Sequence, residues 1–370
     1  MGEKGNTVDA MRTTALSLRE ADSLFRPYHG RKLRLATRLV MAPMPRFLAR
    51  DGVPTPEMLL YYRRRAEHLL GLIITEPVAV DDPAAAADAG MAHFYGGAAL
   101  RAWKGICRAV HATPCRIIPQ LDHVGMLRPF SGDMPNPDAP PIGPSGINPL
   151  EPDTRGETMS RSRIQAVVSA FADAARFSRL LGFDGVEING ARAGLVEQFL
   201  RPETNLRTDE YGGDIVGRAR FACQIVSAVR KVTGRSYPVV FRLSQSGAGI
   251  WGKPLVSTPQ ELDSLLQLLC SAGVDIFSCD GVSHAAFAGS PLNLPGWIRL
   301  LTRRPVIANG GIGLPGMGLD SLLRRLRARE FDMVAVGRAL LADAEWAVKV
   351  RMAREADIIP YSPKSGFHLY

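Results

Sequence analysis

A chain of 370 residues with 46% hydrophobic and 22% charged residues has the composition of a folded globular protein, which excludes an intrinsically disordered one. Its formal charge of +9 favours anionic ligands such as phosphates or carboxylates. The Lys and Arg residues are scattered rather than gathered into one patch, so nucleic acid is not expected as a partner.

Residues 1–20 are polar, lack the apolar stretch of a signal peptide and read as a flexible leader. No apolar run reaches the ~18 residues that cross a bilayer, so no membrane association is expected. Cys107, Cys115, Cys223, Cys270 and Cys279 show no CxxC spacing, which points away from a zinc site or a disulfide framework and fits a cytoplasmic location.

From residue 38 onward, short β-rich apolar segments alternate with helical patterns. They read RLVMAPM (38–44), GLIITEPVAV (71–80), RIIPQLDHVG (116–125), GVEINGA (185–191), PVVFRLSQ (238–245), DIFSCDGV (275–282), PVIANGG (305–311) and DMVAVGR (332–338). Eight βα units predict an α/β fold, a closed (β/α)8 TIM barrel, as a single domain over 21–370. Between the strands, residues 162–183 repeat apolar positions at helical spacing and stop at Gly182. The arginine runs 63–65 and 324–329 fall in similar patterns and read as solvated helix faces. Residues 126–160, rich in Pro, Gly and Asp, are too long for a plain connection. They leave the top of the third strand, where a barrel builds its site, and so suggest a lid or small subdomain.

Barrel sites form at the C-terminal ends of strands and in the loops that follow. The seventh and eighth strands end in Asn309-Gly310-Gly311 and Gly337-Arg338, where glycines admit a phosphate to the backbone and an arginine adds charge. Gln120 and Arg242, at the ends of the third and fifth strands, offer an amide and a cation across the mouth. The pyrimidine edge of an isoalloxazine ring needs such a pair, the amide for its carbonyl and imide and the guanidinium for the charge of the reduced ring.

In order along the chain, VMAPM, DGVPTPEMLLYYRRRA, GLIITE, QLDHVG, GFDGVEINGA, EQFLRPETNLRTDEYGGDIVGRARF, FRLS, ANGGI and VAVGRALLADAEW resemble the Old Yellow Enzyme family from about residue 22 to the C-terminus. The resemblance implies an FMN barrel in which NADH or NADPH reduces the flavin and hydride passes to an electron-poor alkene, a small-molecule substrate. It implies that Pro43 and Met44 lie against the ring, that Gln120 and Arg242 hold its pyrimidine side, and that Asn309, Gly310, Gly311, Gly337 and Arg338 hold its phosphate.

Around the substrate the pattern departs. Where family members carry His, then Asn or His three residues on, then a proton-donating Tyr, this chain has Asn189, Arg192 and Gly194. Asn189 still offers N–H donors and Arg192 a fixed positive charge for an anionic or carbonyl substrate, but Gly194 has no proton to give. Around the flavin ring face the resemblance implies that Pro45 and Pro77 contact the cofactor, Pro45 where a Thr or Cys often touches the flavin and Pro77 where a small residue is preferred, while Asp122 stands where a large aromatic is common. Asp122 and Arg192 are expected side by side, either as an ion pair or with Asp122 moving the proton. His123 reads as structural support, and Tyr95 as a weaker candidate acid. The readings left open are reduction of an unsaturated substrate, oxidation of an amine or C–H bond, internal redox isomerisation, and flavin binding without turnover. Homo-oligomerisation is left open too.

Overall fold

A computed structural model describes residues 21–246, 251–282, 284–314 and 319–367; the expected leader over 1–20 lies outside them. Eight parallel strands close on themselves: β1 (Leu39–Met41), β2 (Leu72–Ala79), β3 (Arg116–Asp122), β4 (Val186–Gly190), β5 (Val239–Leu243), β6 (Ile276–Cys279), β7 (Val306–Ala308) and β8 (Met333–Val336). Each falls within one of the eight predicted segments. The described helices that follow these strands are α1 (Pro56–Ala66), α2 (Gly97–His111), α3 (Arg161–Leu181), α4 (Leu195–Leu200), α5 (Ile215–Thr233), α6 (Pro259–Ala272), α7 (Leu294–Thr302), α8 (Leu319–Arg327), α9 (Arg338–Ala342) and α10 (Trp346–Arg351). This is the (β/α)8 barrel. No helix among the described residues is long and apolar enough to cross a membrane.

Local chemistry explains where these elements begin and end. The Ser160 hydroxyl accepts from Arg163 N at the start of α3, and Gly182 (φ 92°) lets the chain turn left-handed at its end. Asp214 and Thr258 cap α5 and α6 in the same way. In α1 the residues Met58, Tyr61, Tyr62, Arg65 and Ala66 share the buried face. Arg65 therefore departs from the solvated face expected of its run: it is fully buried, donates to the carbonyls of Tyr61, Leu340 and Leu341, and lies 3.7 Å from the Tyr61 ring centre. Carbonyls and a π-face satisfy the guanidinium where no carboxylate is at hand.

Side chains alternate across each strand, and the inward set changes character along the barrel. Val40, Leu72, Ile74, Ile118, Val240, Ile276, Ile307 and Met333 form an apolar cluster with Tyr28, Leu33 and Leu35 of the short hairpin 28–35, which packs against the N-terminal end of the barrel. Two residues further along, the same faces carry Gln120, Arg242, Ser278 and Asn309. An apolar floor thus supports a polar upper layer.

Beneath the barrel, Asp184 ties three elements together. Its Oδ2 accepts from Ile117 N (2.9 Å) and pairs with His111 Nε2 (2.7 Å), and its Oδ1 accepts from Arg116 (3.1 Å). The Asp184 carboxylate, then the Cys107 thiol, raise the His111 pKa to about 10. Because this value lies above the unfolded one, the stabilisation is complete below about pH 6.5 and fades as pH rises through about 10. We expect His111→Ala to lose on the order of 1 kcal/mol near pH 6, a figure discounted for the partial exposure of the imidazole, and to lose progressively less toward pH 10. Urea unfolding at both pH values checks this; an equal loss at both would remove the imidazolium from the account.

The 126–160 segment holds a short 3-10 turn (Gly125–Leu127) and a two-residue parallel ladder pairing Ile142–Gly143 with Glu157–Thr158. Its Arg128 is buried and donates to the carbonyls of Ala139, Pro135, Asn136 and, outside the segment, Ala86. Arg207 holds its other end through the carbonyls of Pro144 and Met159.

Candidate active site

The C-terminal ends of the strands open into a cavity of about 1000 Å3. Pro43, Met44 and Pro45 after β1, Pro77 in β2, Gln120 and Asp122 in β3, Asn189 with Arg192 after it, Arg242, Asn309, Gly310, Gly311, Gly337 and Arg338 all line it, so the structure brings these predicted residues to one space. Tyr95 does not line it. That ring stacks on His93 at 4.5 Å, and burial, followed by the nearby carboxylates of Asp81 and Asp82, pushes its hydroxyl to about 12.

The proline in β2 sits at a fault in the ladder. The β2–β3 register shifts between Ile74 and Pro77, and the Thr75 hydroxyl takes the Gln120 N–H. The same irregularity accommodates Glu76, a buried cavity residue that sequence reasoning missed. Its carboxyl accepts from Tyr62 Oη (3.2 Å) and Arg46 N (3.1 Å), and burial raises its pKa to about 7.

On the substrate side the expected ion pair does not form. Asp122 Oδ1 instead accepts from Asn189 Nδ2 at 3.0 Å, while Asn189 Oδ1 accepts from Ala191 N. Asn189 therefore spends one of its amide hydrogens inside the protein. Arg192 lies beyond the ladder in a turn where it and Ala193 both adopt left-handed backbone (φ 61° and 58°). Glu197 accepts from Ala193 N and Gln198 donates to Ala193 O, which holds this costly conformation in place. Arg192 has no ion-pair partner among the described residues. Withdrawal from solvent, then the like charge of Arg242, lowers its pKa.

Asp122 is buried, and burial raises its pKa against the opposing pull of the Asn189 amide. A Cβ built on Gly194 would lie 3.1 Å from Asp122 Oδ1, so the carboxyl borders the very position that lacks a side chain. Next to it, His123 is fully enclosed. Its Nε2 faces Asp82 Oδ1 (3.2 Å) and its Nδ1 accepts from Gly125 N, which is a structural role.

Two buried donors in the barrel mouth, Arg242 Nε next to Asn189 in the register and Asn309 Nδ2 at the end of β7, have no partner among the described residues. Unmade hydrogen bonds of this kind are costly unless a ligand completes them. Gly310 and Gly311 adopt positive φ (130° and 74°), a conformation that favours glycine, and a Cβ at Gly337 would meet Met44 Sδ at 2.8 Å, so all three positions call for glycine. A phosphate against Asn309 to Gly311 and Arg338, with a flavin ring reaching Gln120 and Arg242, fits these donors. Fold and donors together define a (β/α)8 barrel whose mouth fits a flavin mononucleotide.

The family described as NADH:flavin oxidoreductase / NADH oxidase matches residues 23–357, and the chain belongs to this Old Yellow Enzyme family. It is 31% identical over 341 residues to the NADH oxidase of Thermoanaerobacter brockii, covering 88% of this chain and 50% of that protein. It is 29% identical over 336 residues to the NADPH dehydrogenase of Bacillus velezensis, covering 88% and 94%. The chain spans about half the length of the first of these. Among solved structures, morphinone reductase in complex with tetrahydroNAD is similar with a TM-score of 0.81 at 28% identity, covering 93% of this chain and 94% of that one.

Proposed function

We propose that the protein reduces electron-poor alkenes conjugated to a carbonyl or carboxylate, with NADH or NADPH as donor, and that Asp122 supplies the proton that a tyrosine supplies in relatives. The observation carrying this reading is the 3.1 Å between Asp122 Oδ1 and the Cβ position of Gly194. Bound FMN supplies hydride transfer. The protein's own residues do the rest. Burial keeps Asp122 protonated at higher pH than a free carboxyl, as a general acid requires. Asn189 fixes Asp122 Oδ1, and Arg192 holds the substrate's carbonyl or carboxylate oxygen, withdrawing electrons from the alkene. Asp122 protonates one alkene carbon, the other receives hydride, and cavity water restores the acid. Leu127 lines the cavity, and in this reading residues 126–160 wall its substrate side. Relatives named as reductases, among them a putative 12-oxophytodienoate reductase 5 of Oryza sativa at 40% identity over 232 residues, support the reductive direction.

Anaerobic stopped-flow absorbance at the oxidised-flavin band tests the reading. NADH or NADPH is expected to bleach the band, and an enone or enoate to restore it. Bleaching by an N-methylated amino acid, with no recovery on adding an alkene, would replace the reductase by an oxidative enzyme.

A further inference from the structure

Beside Gln120 in the strand register, on the inner face of β4 and two residues before Asn189, Glu187 is fully buried. Its Oε1 accepts from Gln120 Nε2 at 2.6 Å, while its Oε2 has no hydrogen-bond partner among the described residues. Strand register places Asn189 and Ser278 on either side of Arg242; burial raises the pKa of Glu187, opposed first by the Arg242 charge and then by the Gln120 amide and the Ser278 hydroxyl, which favour its ionised form. A carboxylate is not needed to fill this space, since burying one is costly unless a neighbour uses it.

We propose that Glu187 is a positioning residue for the flavin site: it fixes which end of the Gln120 amide faces the cavity and sets a negative charge behind Arg242. The inference rests on the reading of the cavity as an FMN site. Only the NH2 end of an amide can donate to a carboxylate, so Gln120 Oε1 is the atom left for the ligand, and it accepts. An imide N–H is the group on a flavin pyrimidine that such an acceptor meets. The Arg242 guanidinium stabilises negative charge gained by the ring on reduction. Glu187 offsets part of that field, which makes the flavin harder to reduce than Arg242 alone would.

The test is a spectroelectrochemical titration of FMN-loaded wild type, Glu187→Gln and Glu187→Asp. Glu187→Gln removes the charge at constant size and is expected to shift the reduction equilibrium at least tenfold toward reduced flavin, a rise of about 30 mV for a two-electron couple. Glu187→Asp keeps the charge and is expected to stay near the wild-type potential. A Glu187→Gln potential equal to wild type, or an equal shift in both variants, overturns the proposal. A purely structural role would move the melting temperature and leave the potential unchanged. Direct titration of wild type with FMN separates the two levels: no binding defeats the flavin reading itself, whereas FMN bound at a potential indifferent to residue 187 defeats only this inference.

Discussion

Asp122→Asn is expected to slow alkene reduction about 10²- to 10⁴-fold, the usual worth of a positioned general acid, while nicotinamide-driven bleaching of the flavin keeps its wild-type rate. Asparagine preserves the size and the partner at Asn189 but has no acidic proton at neutral pH. The half-reactions separate the outcomes: only the oxidative half-reaction should fall. Equal loss in both would mean a distorted flavin site, and no loss would remove Asp122 from proton transfer. Because a Cβ at residue 194 comes within 3.1 Å of Asp122 Oδ1, a tyrosine cannot simply be restored beside the aspartate. Gly194→Tyr alone should be inactive, and the Asp122→Ala, Gly194→Tyr double variant should recover part of the rate. Such sign-changing coupling is expected only of residues that compete for one place.

The largest stability effect is expected at Arg201→Met. Arg201 and Glu197 are both fully buried in and after α4, with Arg201 Nε and Nη2 on Glu197 Oε1 at 3.1 and 2.8 Å. Arg201 also donates to the carbonyls of Gln245 and Lys253. Removing the cation leaves a buried carboxylate unpaired, at a cost of about 3–5 kcal/mol. The melting temperature should fall on the order of 5–10 °C. Adding Glu197→Gln should recover part of that loss, since the stranded charge is then gone. A double variant no better than the single would place the cost in lost packing instead.

The barrel was legible because the period of two and the polarity of the strand ends agree. Ile118, Gln120 and Asp122 run from apolar floor to cavity on one face of one strand, and Ile276, Ser278 and Asp280 repeat the gradient three strands away. The same rule brought the predicted site residues to one cavity. It did not reach the partners. Strand order predicts neighbours only as far as the ladder extends, and Arg192 lies beyond it in a left-handed turn, so Asp122 found Asn189 instead. Arg65 falls at helical spacing with Met58, Tyr61 and Tyr62, but the carbonyls that let it turn inward belong to α9, some 275 residues away. Glu187 had a signal that was passed over. Its spacing of two from Asn189 already placed it on the inner face, where a carboxylate calls for a partner.

The attachment of the long segment after β3 bears on how this barrel can be recombined with others. One buried side chain, Arg128, gathers carbonyls from the segment itself and from Ala86 in the loop after β2. The exchangeable module is therefore discontinuous. Residues 126–160 transplanted alone would carry a guanidinium into a scaffold whose preceding loop presents no matching carbonyl, whereas a chimera taking residues 81–89 with them would bring both halves of the fastening.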